Sequence, residues 1–432
     1  MRAKRNIDIG LLGLGVVGSG VARAVLEKRR TLAEEIGCPL ALKKILVRDL
    51  GKPRSVSVDS HLLSLDPREA LADPEIDIVI EVIGGEHPAL EYIKEALLRG
   101  KHVVTANKEV IAKHGAELLM MAQEKDVSIL YEASVGGGIP LLLPLYHGLL
   151  ANEITTIYAI INGTTNYILT RMSNEGVSFD VALEKAQELG YAEPDATNDI
   201  EGRDAAYKLA ILATVAFHTV VRPEDIFCEG ISRLCKQDFR YAKELGYEIK
   251  LLAIAKQADG AIEVRVHPAF IPAGFLLAKV DGVYNAVQVE GDLVGTLIFY
   301  GRGAGAQPTA SAIIADVIAA GRVICSEGKG SVRPRQPQGM PIKPISNLET
   351  RYYLRMGIAD RPGVLAQIAK VLGDHLISIA SVIQKEADEA TQTAEIVIMT
   401  HPAREQFMRQ SVTQMEGLSA VREICNLIRV EE

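Results

Sequence analysis

The residues best suited to chemistry lie in an acidic loop that ends on a lysine. Between positions 190 and 208 the loop carries the carboxylates of Glu193, Asp195, Asp199, Glu201 and Asp204, followed by Lys208. A helix would place Asp204 and Lys208 on one face, because they are four residues apart, and that face continues as an apolar stripe. A lysine directed toward a core needs a partner, and a carboxylate-paired lysine suits proton transfer or carbonyl polarisation. The same spacing also fits an ordinary ion pair on a solvated helix face.

The composition is that of a globular protein with two or three cored domains. The chain has 432 residues, of which 48% are hydrophobic and 24% charged, and a net charge of -8. This charge argues against nucleic acid as a partner, since phosphate contacts need clustered Lys and Arg. No apolar run approaches the length of a membrane span and no signal peptide is evident, so no membrane partner is expected. The 5 cysteines form no C-x-x-C pair, which favours a reducing, cytoplasmic location.

A glycine-rich turn near the start of the chain predicts a dinucleotide-binding site. An apolar strand over 6–12 runs directly into the turn, and a helix is predicted to follow as far as about Ile36. The turn has the form G-x-G-x-x-G and consists of Gly13, Leu14, Gly15, Val16, Val17 and Gly18. Its glycines permit a tight turn, the approach of a pyrophosphate and packing of the helix on the strand. A purely structural glycine turn would give the same pattern.

The residues after the second strand bear on which cofactor is bound. The strand predicted over 42–47 ends on Arg48 and Asp49, with Lys52 and Arg54 close behind. An acidic residue here would hold the ribose hydroxyl of NAD, whereas an arginine accommodates the 2'-phosphate of NADP. The excess of positive charge favours NADP, with NAD as the alternative.

The first domain, residues 1–140, is predicted to be a Rossmann-type α/β domain. Buried strands over 76–83, 101–104 and 128–131 alternate with helices, which is typical of a doubly wound parallel sheet. Thr105 and Lys108 follow one of these strands, at the carboxyl edge where such sheets bind ligands. Lys108 is therefore a second candidate active-site lysine. It is equally consistent with an ordinary lysine near the start of a helix over 109–124.

Residues 141–330 are predicted to form an α+β substrate-binding and dimerisation domain with a largely antiparallel sheet. The glycine turn 136–138 precedes it, and serves either as a hinge or as a source of carbonyl ligands for a hard monovalent cation. A strand over 154–161 ends on Asn162-Gly163-Thr164, whose polar side chains either cap the next helix or line a pocket. A second glycine cluster ends at Gly305 and opens a helix, which is expected to return to the first domain and the cofactor.

The end of the chain is predicted to be a small separate domain. A linker over 331–349 precedes residues 350–432, whose patterns follow the βαββαβ order of the ferredoxin-like fold. The turn over 360–363, Asp-Arg-Pro-Gly, resembles that of ACT domains, which commonly bind amino acids. A dimerisation module without a ligand is the alternative interpretation.

Taken together, these motifs resemble those of the homoserine dehydrogenases over the whole chain, in the long form with an ACT tail. The most specific element runs from Ala186 to Lys208: Ala-x-x-x-Gly-Tyr-Ala-Glu-Pro-x-x-x-x-Asp-Ile-x-Gly-x-Asp-x-x-x-Lys. Members of this family reduce L-aspartate 4-semialdehyde to L-homoserine with NAD(P)H, on the route to threonine, methionine and isoleucine. The resemblance implies an NAD(P)-dependent oxidoreductase that forms a homodimer or homotetramer and is inhibited by threonine through its ACT domain.

The resemblance also implies roles for individual residues. Lys208 would donate the proton to the aldehyde oxygen, with Asp204 as its partner and Lys108 as the second active-site lysine. Glu193 would hold the ammonium group of the substrate, with Gly190 and Asp199 also at the substrate. Cofactor contacts would come from the turn Gly13 to Gly18 and from Arg48, Thr105, Lys108 and Gly305. A structural sodium or potassium ion would be bound by main-chain carbonyls of Glu132, Val135, Gly137 and Ile139.

The residues disfavour two other functions. Aspartate-semialdehyde dehydrogenase acts on the same metabolite but needs a nucleophilic cysteine, and no cysteine lies between Cys38 and Cys228. A non-catalytic protein that responds to amino acids would have no reason to keep the pair of Asp204 and Lys208. The individual roles of Asp195, Asp199 and Glu201 stay open, and we expect these residues to shape the loop.

Overall fold

The computed structural model describes residues 6–325, 339–388 and 392–432 of the chain. The chain forms two compact units: Met1–Thr155, Tyr207–Glu224 and Asn285–Gly339 make up the first, and Thr156–Ala206, Asp225–Tyr284 and Met340–Glu432 the second. Part of the predicted linker, residues 331–338, lies outside the described residues. The division of the chain at 140, 330 and 350 stays a prediction.

Helices and strands alternate in the first 130 residues, and strands are more frequent in the rest of the chain. The helices are α1 (Val16–Glu27), α2 (Arg29–Ile36), α3 (Arg68–Leu71), α4 (Ala89–Leu98), α5 (Lys108–Glu124), α6 (Gly163–Glu175), α7 (Phe179–Glu188), α8 (Thr197–Ile200), α9 (Arg203–Phe217), α10 (Lys236–Glu244), α11 (Ala306–Cys325), α12 (Val364–Asp374) and α13 (Glu405–Glu416). The strands are β1 (Ile7–Leu12), β2 (Leu40–Leu46), β3 (Leu63–Ser64), β4 (Ile76–Glu81), β5 (His102–Thr105), β6 (Ile129–Leu130), β7 (Ile154–Ile160), β8 (Phe227–Cys228), β9 (Tyr247–Ala258), β10 (Ala261–Pro272), β11 (Tyr284–Gly291), β12 (Gly295–Arg302), β13 (Glu349–Ala359), β14 (Ile379–Asp388), β15 (Thr393–Thr400), β16 (Ala403–Arg404) and β17 (Val421–Val430).

The first unit contains a parallel sheet with the strand order β3-β2-β1-β4-β5-β6. Strands β1 and β4 are almost wholly buried, which is why their sequences read as near-continuous apolar runs. This order is that of dinucleotide-binding domains, and it reverses between β1 and β4, so a ligand is expected outside the carboxyl ends of these two strands. The predicted Rossmann-type α/β domain is confirmed.

The long first helix that the sequence predicts is wrong, because the chain forms two helices there. The break lies at Lys28, whose backbone φ of -102° and ψ of 17° are not helical. No glycine or proline stands near this position, so the sequence carries no local signal for the break. Helix α2 then buries Leu32 and Ile36.

In the second unit, a mixed sheet has the strand order β7-β9-β10-β17-β13-β15-β14. Strand β10 pairs antiparallel with β9 along its whole length, and parallel with β17 at Ala269–Arg429 and Phe270–Val430. Strands β13, β14, β15 and β17 with helices α12 and α13 have the predicted βαββαβ order, interrupted only by the short strand β16. The ACT-type tail domain is thus confirmed, and its sheet is continuous with strands of residues 154–284.

One helix of the described residues, α11, is long and apolar enough to cross a membrane, judged by length and composition alone. Its most apolar 18-residue window has a mean hydropathy of 1.5. The expectation that no apolar run approaches the length of a membrane span is therefore wrong for this helix. Helix α11 contributes Ala310, Ile313 and Val317 to the core of the first unit, together with residues of β1 and β4. Its apolar character is therefore explained by packing within the protein.

Candidate active site

The predicted dinucleotide turn connects β1 to α1 in the first unit. Gly13 has a φ of 106°, and a Cβ atom at this position would lie 2.9 Å from the carbonyl oxygen of Val82. A Cβ atom on Gly18 would lie 2.1 Å from the carbonyl oxygen of Gly13, so neither position tolerates a side chain. Gly15 and Val16 are exposed at the beginning of α1, where backbone N–H groups can receive an anion. This geometry suits the pyrophosphate of a dinucleotide.

In the loop after β2, the acidic and basic candidates make different contacts. Oδ1 of Asp49 accepts a 2.8 Å hydrogen bond from the backbone N–H of Gly51. The guanidinium of Arg54 donates to the carbonyl oxygens of Asp49 and Lys52, so it folds the loop onto itself. Arg48 is exposed just beyond the end of β2. The carboxylate of Asp49 is therefore partly engaged in a local turn, whereas Arg48 faces solvent.

Thr105 and Lys108 lie at the carboxyl end of β5, as the sequence predicts. Thr105 is completely buried, and its hydroxyl donates a 2.6 Å hydrogen bond to the carboxylate of Glu81. Lys108 is half-buried and is the first residue of α5. The side chain of Asn107 caps this helix by accepting a hydrogen bond from the N–H of Val110 at 3.2 Å. Lys108 thus stands both at the ligand-binding edge and at a helix start.

A cation–π contact within the first unit connects the two helices that carry the candidate lysines. Nζ of Lys113, on α5, lies 5.7 Å from the centroid of the Tyr207 ring on α9, and Tyr207 directly precedes Lys208. The carboxylates of Glu86 and Glu109 each lie 2.7 Å from the same Nζ. The hydrogen bond from Lys113 is the main cause that lowers the pKa of Glu86 to about 2. The part of α9 that begins at Tyr207 is therefore anchored to α5 within the first unit.

In the second unit, the side chain of Asn162 joins two carboxylates. Its Nδ2 donates hydrogen bonds to Asp199 Oδ1 at 2.7 Å and to Asp204 Oδ2 at 2.9 Å. Its Oδ1 accepts from the N–H and the hydroxyl of Thr165 at 2.8 and 2.9 Å. These four bonds use the full capacity of the amide, so its orientation is fixed. The sequence suggests Asn162 only as a cap or pocket residue, because nothing local points to partners 37 and 42 positions away.

Helix α9 carries the central pair of the acidic loop. Asp204 lies in its first turn and is only 6% exposed, and Lys208 is half-buried one turn later. A surface ion pair on a solvated face does not describe a carboxylate with this burial. The amide of Asn162 donates to Oδ2 of Asp204 at 2.9 Å, and the positive end of the helix dipole lies at the same turn.

The loop that carries Glu193 is held by its backbone. Gly190 has a φ of 71°, and the next carbonyl oxygen, of Tyr191, accepts a 2.6 Å hydrogen bond from the hydroxyl of Thr164. Nε2 of Gln187 donates to the carbonyl oxygen of Glu193 at 3.2 Å. The Glu193 side chain itself is exposed. The loop thus presents an accessible carboxylate on a constrained backbone.

Two further acids of the loop accept hydrogen bonds. Oδ1 of Asp195 accepts a hydrogen bond from the backbone N–H of Thr197 at 3.1 Å, and Oε1 of Glu201 accepts from the hydroxyl of Ser232 at 3.0 Å. The Asp195 contact lies within the loop, whereas the Glu201 contact joins the loop to a residue 31 positions away. That both residues shape the loop stays a prediction.

The predicted cation turn lies in the first unit, beside a buried carboxylate. The side chain of Glu132 accepts hydrogen bonds of 2.6, 3.0 and 2.6 Å from the backbone N–H groups of residues 141–143. Burial raises the pKa of Glu132, and these three N–H groups oppose that rise. Gly136 and Gly137 have φ values of 72° and 58°, and a Cβ on Gly137 would lie 2.4 Å from the carbonyl oxygen of Gly303. The side chain of Glu132 therefore shapes the turn.

The predicted ligands of a cation at this turn are main-chain carbonyl oxygens. Outside regular helices and strands, no backbone N–H of the described residues donates to the carbonyls of Val135, Gly137 or Ile139. The described ranges contain no group of three or more His, Cys, Asp or Glu side chains that could hold a metal ion. The carbonyl of Glu132, the fourth predicted ligand, accepts from the N–H of Val135 at 3.4 Å. Carbonyl oxygens suit a hard cation, and the cation site stays a prediction.

Gly305 lies at the start of α11, within the first unit. Its φ of 125° is in the region that favours glycine, and its carbonyl oxygen accepts a 3.1 Å hydrogen bond from the N–H of Thr309. A Cβ on Gly20 of α1 would lie 2.7 Å from the carbonyl oxygen of Ala306. The beginnings of α11 and α1 therefore adjoin, as expected for a segment that returns to the dinucleotide turn.

Three family models match the chain. Residues 13–132 match the NAD binding domain of homoserine dehydrogenase, residues 140–318 match homoserine dehydrogenase, and residues 352–406 match the ACT domain.

The relatives of the chain agree with these matches. A homoserine dehydrogenase of Neisseria gonorrhoeae is 41% identical over 432 residues, with 99% of each chain covered. The crystal structure of a homoserine dehydrogenase from Thiobacillus denitrificans has a TM-score of 0.94 and 43% identity, and covers 99% of this chain and 98% of that one. A hyperthermophilic archaeal homoserine dehydrogenase in complex with NADPH has a TM-score of 0.62 and 29% identity, and covers 73% of this chain and 97% of that one.

Proposed function

Since the chain belongs to the homoserine dehydrogenase family, NAD(P)-dependent oxidoreductases that act on a CH-OH group, we propose that it interconverts L-aspartate 4-semialdehyde and L-homoserine with NADP as its preferred cofactor. The observation that carries the assignment of residues is the buried carboxylate of Asp204, clamped by Asn162 one helical turn before Lys208. Hydride transfer to the aldehyde carbon produces an alkoxide. The ammonium of Lys208 stabilises this oxygen and donates its proton to it.

Substrate binding is assigned to the loop of the second unit and to the second lysine. Glu193 is exposed on a constrained backbone, and its carboxylate binds the ammonium group of the amino acid. Gly190 and Asp199 also lie at the substrate, and Asp199 shares the amide of Asn162 with Asp204. Lys108, at the carboxyl edge of the parallel sheet, is the second active-site lysine.

The cofactor is assigned to the first unit. The turn from Gly13 to Gly18 binds the pyrophosphate of the cofactor. Thr105, Lys108 and Gly305 contact the remaining parts of the cofactor. NADP is preferred because Arg48 is exposed at the end of β2, whereas Asp49 already accepts a hydrogen bond from Gly51. A family member named as an NADPH complex supports the same preference. When bound, the cofactor supplies the hydride, and the protein positions and polarises the substrate.

A monovalent cation, sodium or potassium, is assigned a structural role. The main-chain carbonyls of Glu132, Val135, Gly137 and Ile139 would be its ligands. The turn is supported from the other side by the carboxylate of Glu132, which binds the N–H groups of residues 141–143. The cation would therefore stabilise the turn and take no part in the reaction.

The remaining assignments concern regulation and assembly. The protein acts in the cytoplasm on the route to threonine, methionine and isoleucine, and threonine inhibits it through the ACT domain. The chain forms a homodimer or homotetramer. Strand β12 supports self-association because it is an edge strand whose neighbourhood exposes Leu293 and Tyr300. The division into domains 1–140, 141–330 and 350–432 with a linker over 331–349 belongs to the same proposal.

The proposed activity is tested by following NADPH absorbance after addition of L-aspartate 4-semialdehyde. Succinate semialdehyde is a matched probe, because it has the same aldehyde and carboxylate but lacks the ammonium group. We expect turnover of the amino acid and a much higher KM for the probe, since Glu193 would have no partner. Absence of turnover with the amino acid would refute the activity, and equal KM values would refute the role of Glu193.

A further inference from the structure

A buried carboxylate outside the assigned residues lies at the centre of the dinucleotide-binding edge. Glu81 is the last residue of β4 and is completely buried, and it stands directly beside Thr105 of β5 in the sheet. Its Oε2 accepts a 2.6 Å hydrogen bond from the hydroxyl of Thr105, and its Oε1 accepts from the N–H of Ile83 at 2.7 Å. Burying a carboxylate is costly unless hydrogen bonds compensate, so this arrangement needs an explanation.

The hydrogen bonds of Glu81 continue to the start of α5. Oγ1 of Thr105 accepts a 2.9 Å bond from the N–H of Asn107. The side chain of Asn107 then accepts from the N–H of Val110 at the helix start, donates to the carbonyl oxygen of Gly85 at 2.7 Å, and also hydrogen-bonds the carboxylate of Glu81. One carboxylate thus fixes the turn after β4, the end of β5 and the cap of α5.

An acceptor-only group is required at Glu81. The groups that hydrogen-bond its two oxygens are donors: the Thr105 hydroxyl at Oε2, the N–H groups of Ile83 and Gly84 at Oε1, and the side-chain amide of Asn107. Burial raises the pKa of Glu81, and these four donors oppose that rise. A glutamine could keep its oxygen toward the backbone N–H groups. Its NH2 would then face a hydroxyl oxygen that already accepts from Asn107, and the hydroxyl proton would lose its acceptor.

We propose that Glu81 is a positioning residue for hydride transfer, which through Thr105 and Asn107 fixes Lys108 and the turn 82–85 at the edge where the nicotinamide binds. The inference rests on the proposed function, which assigns Lys108 to the active site. Strands β1 and β4 flank the point where the sheet order reverses, and ligands of such sheets bind outside their carboxyl ends. Glu81 lies at the end of β4, so its hydrogen bonds reach this position without contact between its carboxylate and the substrate.

The chain offers matched variants for a test. Thr105→Val keeps the shape of the side chain and removes the hydroxyl, Thr105→Ser keeps the hydroxyl, and Glu81→Gln keeps the size of the carboxylate. We expect Glu81→Gln and Thr105→Val to lower kcat by roughly 10- to 100-fold, the scale of a small misplacement of reacting groups. The KM for the semialdehyde should change by less than about threefold, and Thr105→Ser should restore most of kcat.

The outcomes separate positioning from a purely structural role. A double variant that combines Glu81→Gln with Thr105→Val should lose no more kcat than the slower single variant, because both residues act through one hydrogen-bonded chain. Wild-type kcat in Thr105→Val or Glu81→Gln would overturn the proposal, as would a Thr105→Ser variant as slow as Thr105→Val. If Glu81→Gln does not fold, the comparison of the two Thr105 variants decides the question.

A binding measurement keeps this test distinct from that of the proposed function. NADPH affinity is measured by fluorescence without substrate. If the wild-type chain binds NADPH but does not turn over the semialdehyde, the proposed function fails. In that case, weaker NADPH binding by Glu81→Gln and Thr105→Val, together with wild-type NADPH binding by Thr105→Ser, still supports the proposal that Glu81 positions the edge where the cofactor binds. Unchanged NADPH affinity in all three variants refutes it.

Discussion

The amide of Asn162 donates a 2.9 Å hydrogen bond to the buried carboxylate of Asp204. Because the same amide also binds Asp199, one side chain sets the positions of two carboxylates of the acidic loop. We expect Asn162→Ala to lower kcat by roughly 10- to 100-fold, since Asp204 would lose a hydrogen bond that orients it. Asn162→Asp should be slower still, because three carboxylates would face each other. Steady-state kinetics with the semialdehyde measure both effects, and a kcat of Asn162→Asp above that of Asn162→Ala would contradict the argument.

Lys208 should be needed for turnover but not for cofactor binding. Loss of a general acid typically costs about 10²- to 10⁴-fold, so Lys208→Ala should be nearly inactive. NADPH binding, measured by fluorescence, should remain, because the glycine turn is unaffected. Lys185→Ala is the matched control, since that lysine forms an exposed pair with Glu188 at 2.8 Å. Turnover of Lys208→Ala close to that of the control would show that another group donates the proton.

Arg48 should set the cofactor preference. Arg48→Ala removes an exposed guanidinium that would bind the 2'-phosphate, a contact worth about 1.5–3 kcal/mol for a charged hydrogen bond. The kcat/KM for NADPH should therefore fall by roughly 10- to 100-fold, with little change for NADH. Arg30→Ala serves as the control, because Arg30 is exposed on α2 and pairs only with Glu34 among the described ion pairs. An equal loss with both cofactors would mean that Arg48 acts on the loop rather than on the phosphate.

The sequence could predict the parts of the site that depend on local pattern. The glycine turn at Gly13 and the position of Lys108 follow from strand and helix periodicity, and both lie where they are expected. The clamp at Asn162 could not be predicted, because its partners are separated from it by 37 and 42 positions. The same holds for the pair of Arg265 and Glu431, separated by 166 positions. Such contacts depend on which strands and turns become neighbours, and residue spacing carries no information about that.

Glu431 should contribute to stability at neutral pH and lose that contribution in acid. It is buried between Arg265, at 2.8 Å, and Lys256, at 3.1 Å. Burial disfavours its charge, but these cations outweigh burial and lower its pKa from 4.5 to about 2. A lowered folded-state pKa stabilises the fold above the unfolded value, and this stabilisation disappears as the pH falls from about 4.5 to about 2.

Two neighbouring variants test this dependence. Glu431→Gln should lower the free energy of unfolding by roughly 3 kcal/mol at pH 7, because the buried guanidinium of Arg265 loses one of its two carboxylate partners and keeps only Glu263 among the described ion pairs. Glu432→Gln should lower the free energy of unfolding by less than about 1 kcal/mol, because the ion pair that Glu432 forms with Arg351 is exposed. Denaturant unfolding at several pH values measures both. The deficit of Glu431→Gln should shrink toward pH 2, and a deficit independent of pH would reject the electrostatic explanation.

Removal of the ACT domain should destabilise the rest of the chain as well as remove regulation. From the sequence, truncation after the linker would be expected to leave activity and remove only inhibition by threonine. In the structure, β17 pairs with β10, and Glu431 binds Arg265, which is 2% exposed. A chain that ends at Lys343 would leave this guanidinium without Glu431 and open one edge of β10. We therefore expect a loss of about 3–5 kcal/mol in stability, with reduced solubility.

Thermal melting of the truncated chain checks this expectation, with Glu432→Gln as a variant that perturbs the same terminus at an exposed position. A melting temperature equal to that of the full chain would show that the tail is energetically independent. If the truncated chain is unstable, inhibition by threonine has to be measured in the full-length protein, as the change in NADPH turnover with threonine concentration. Glu431→Gln then becomes the informative variant, because it weakens the connection of β17 to β10 while the ACT domain remains present. Coupling through this connection predicts a smaller maximal inhibition in Glu431→Gln at unchanged basal turnover, and wild-type inhibition would show that the effector acts by another route.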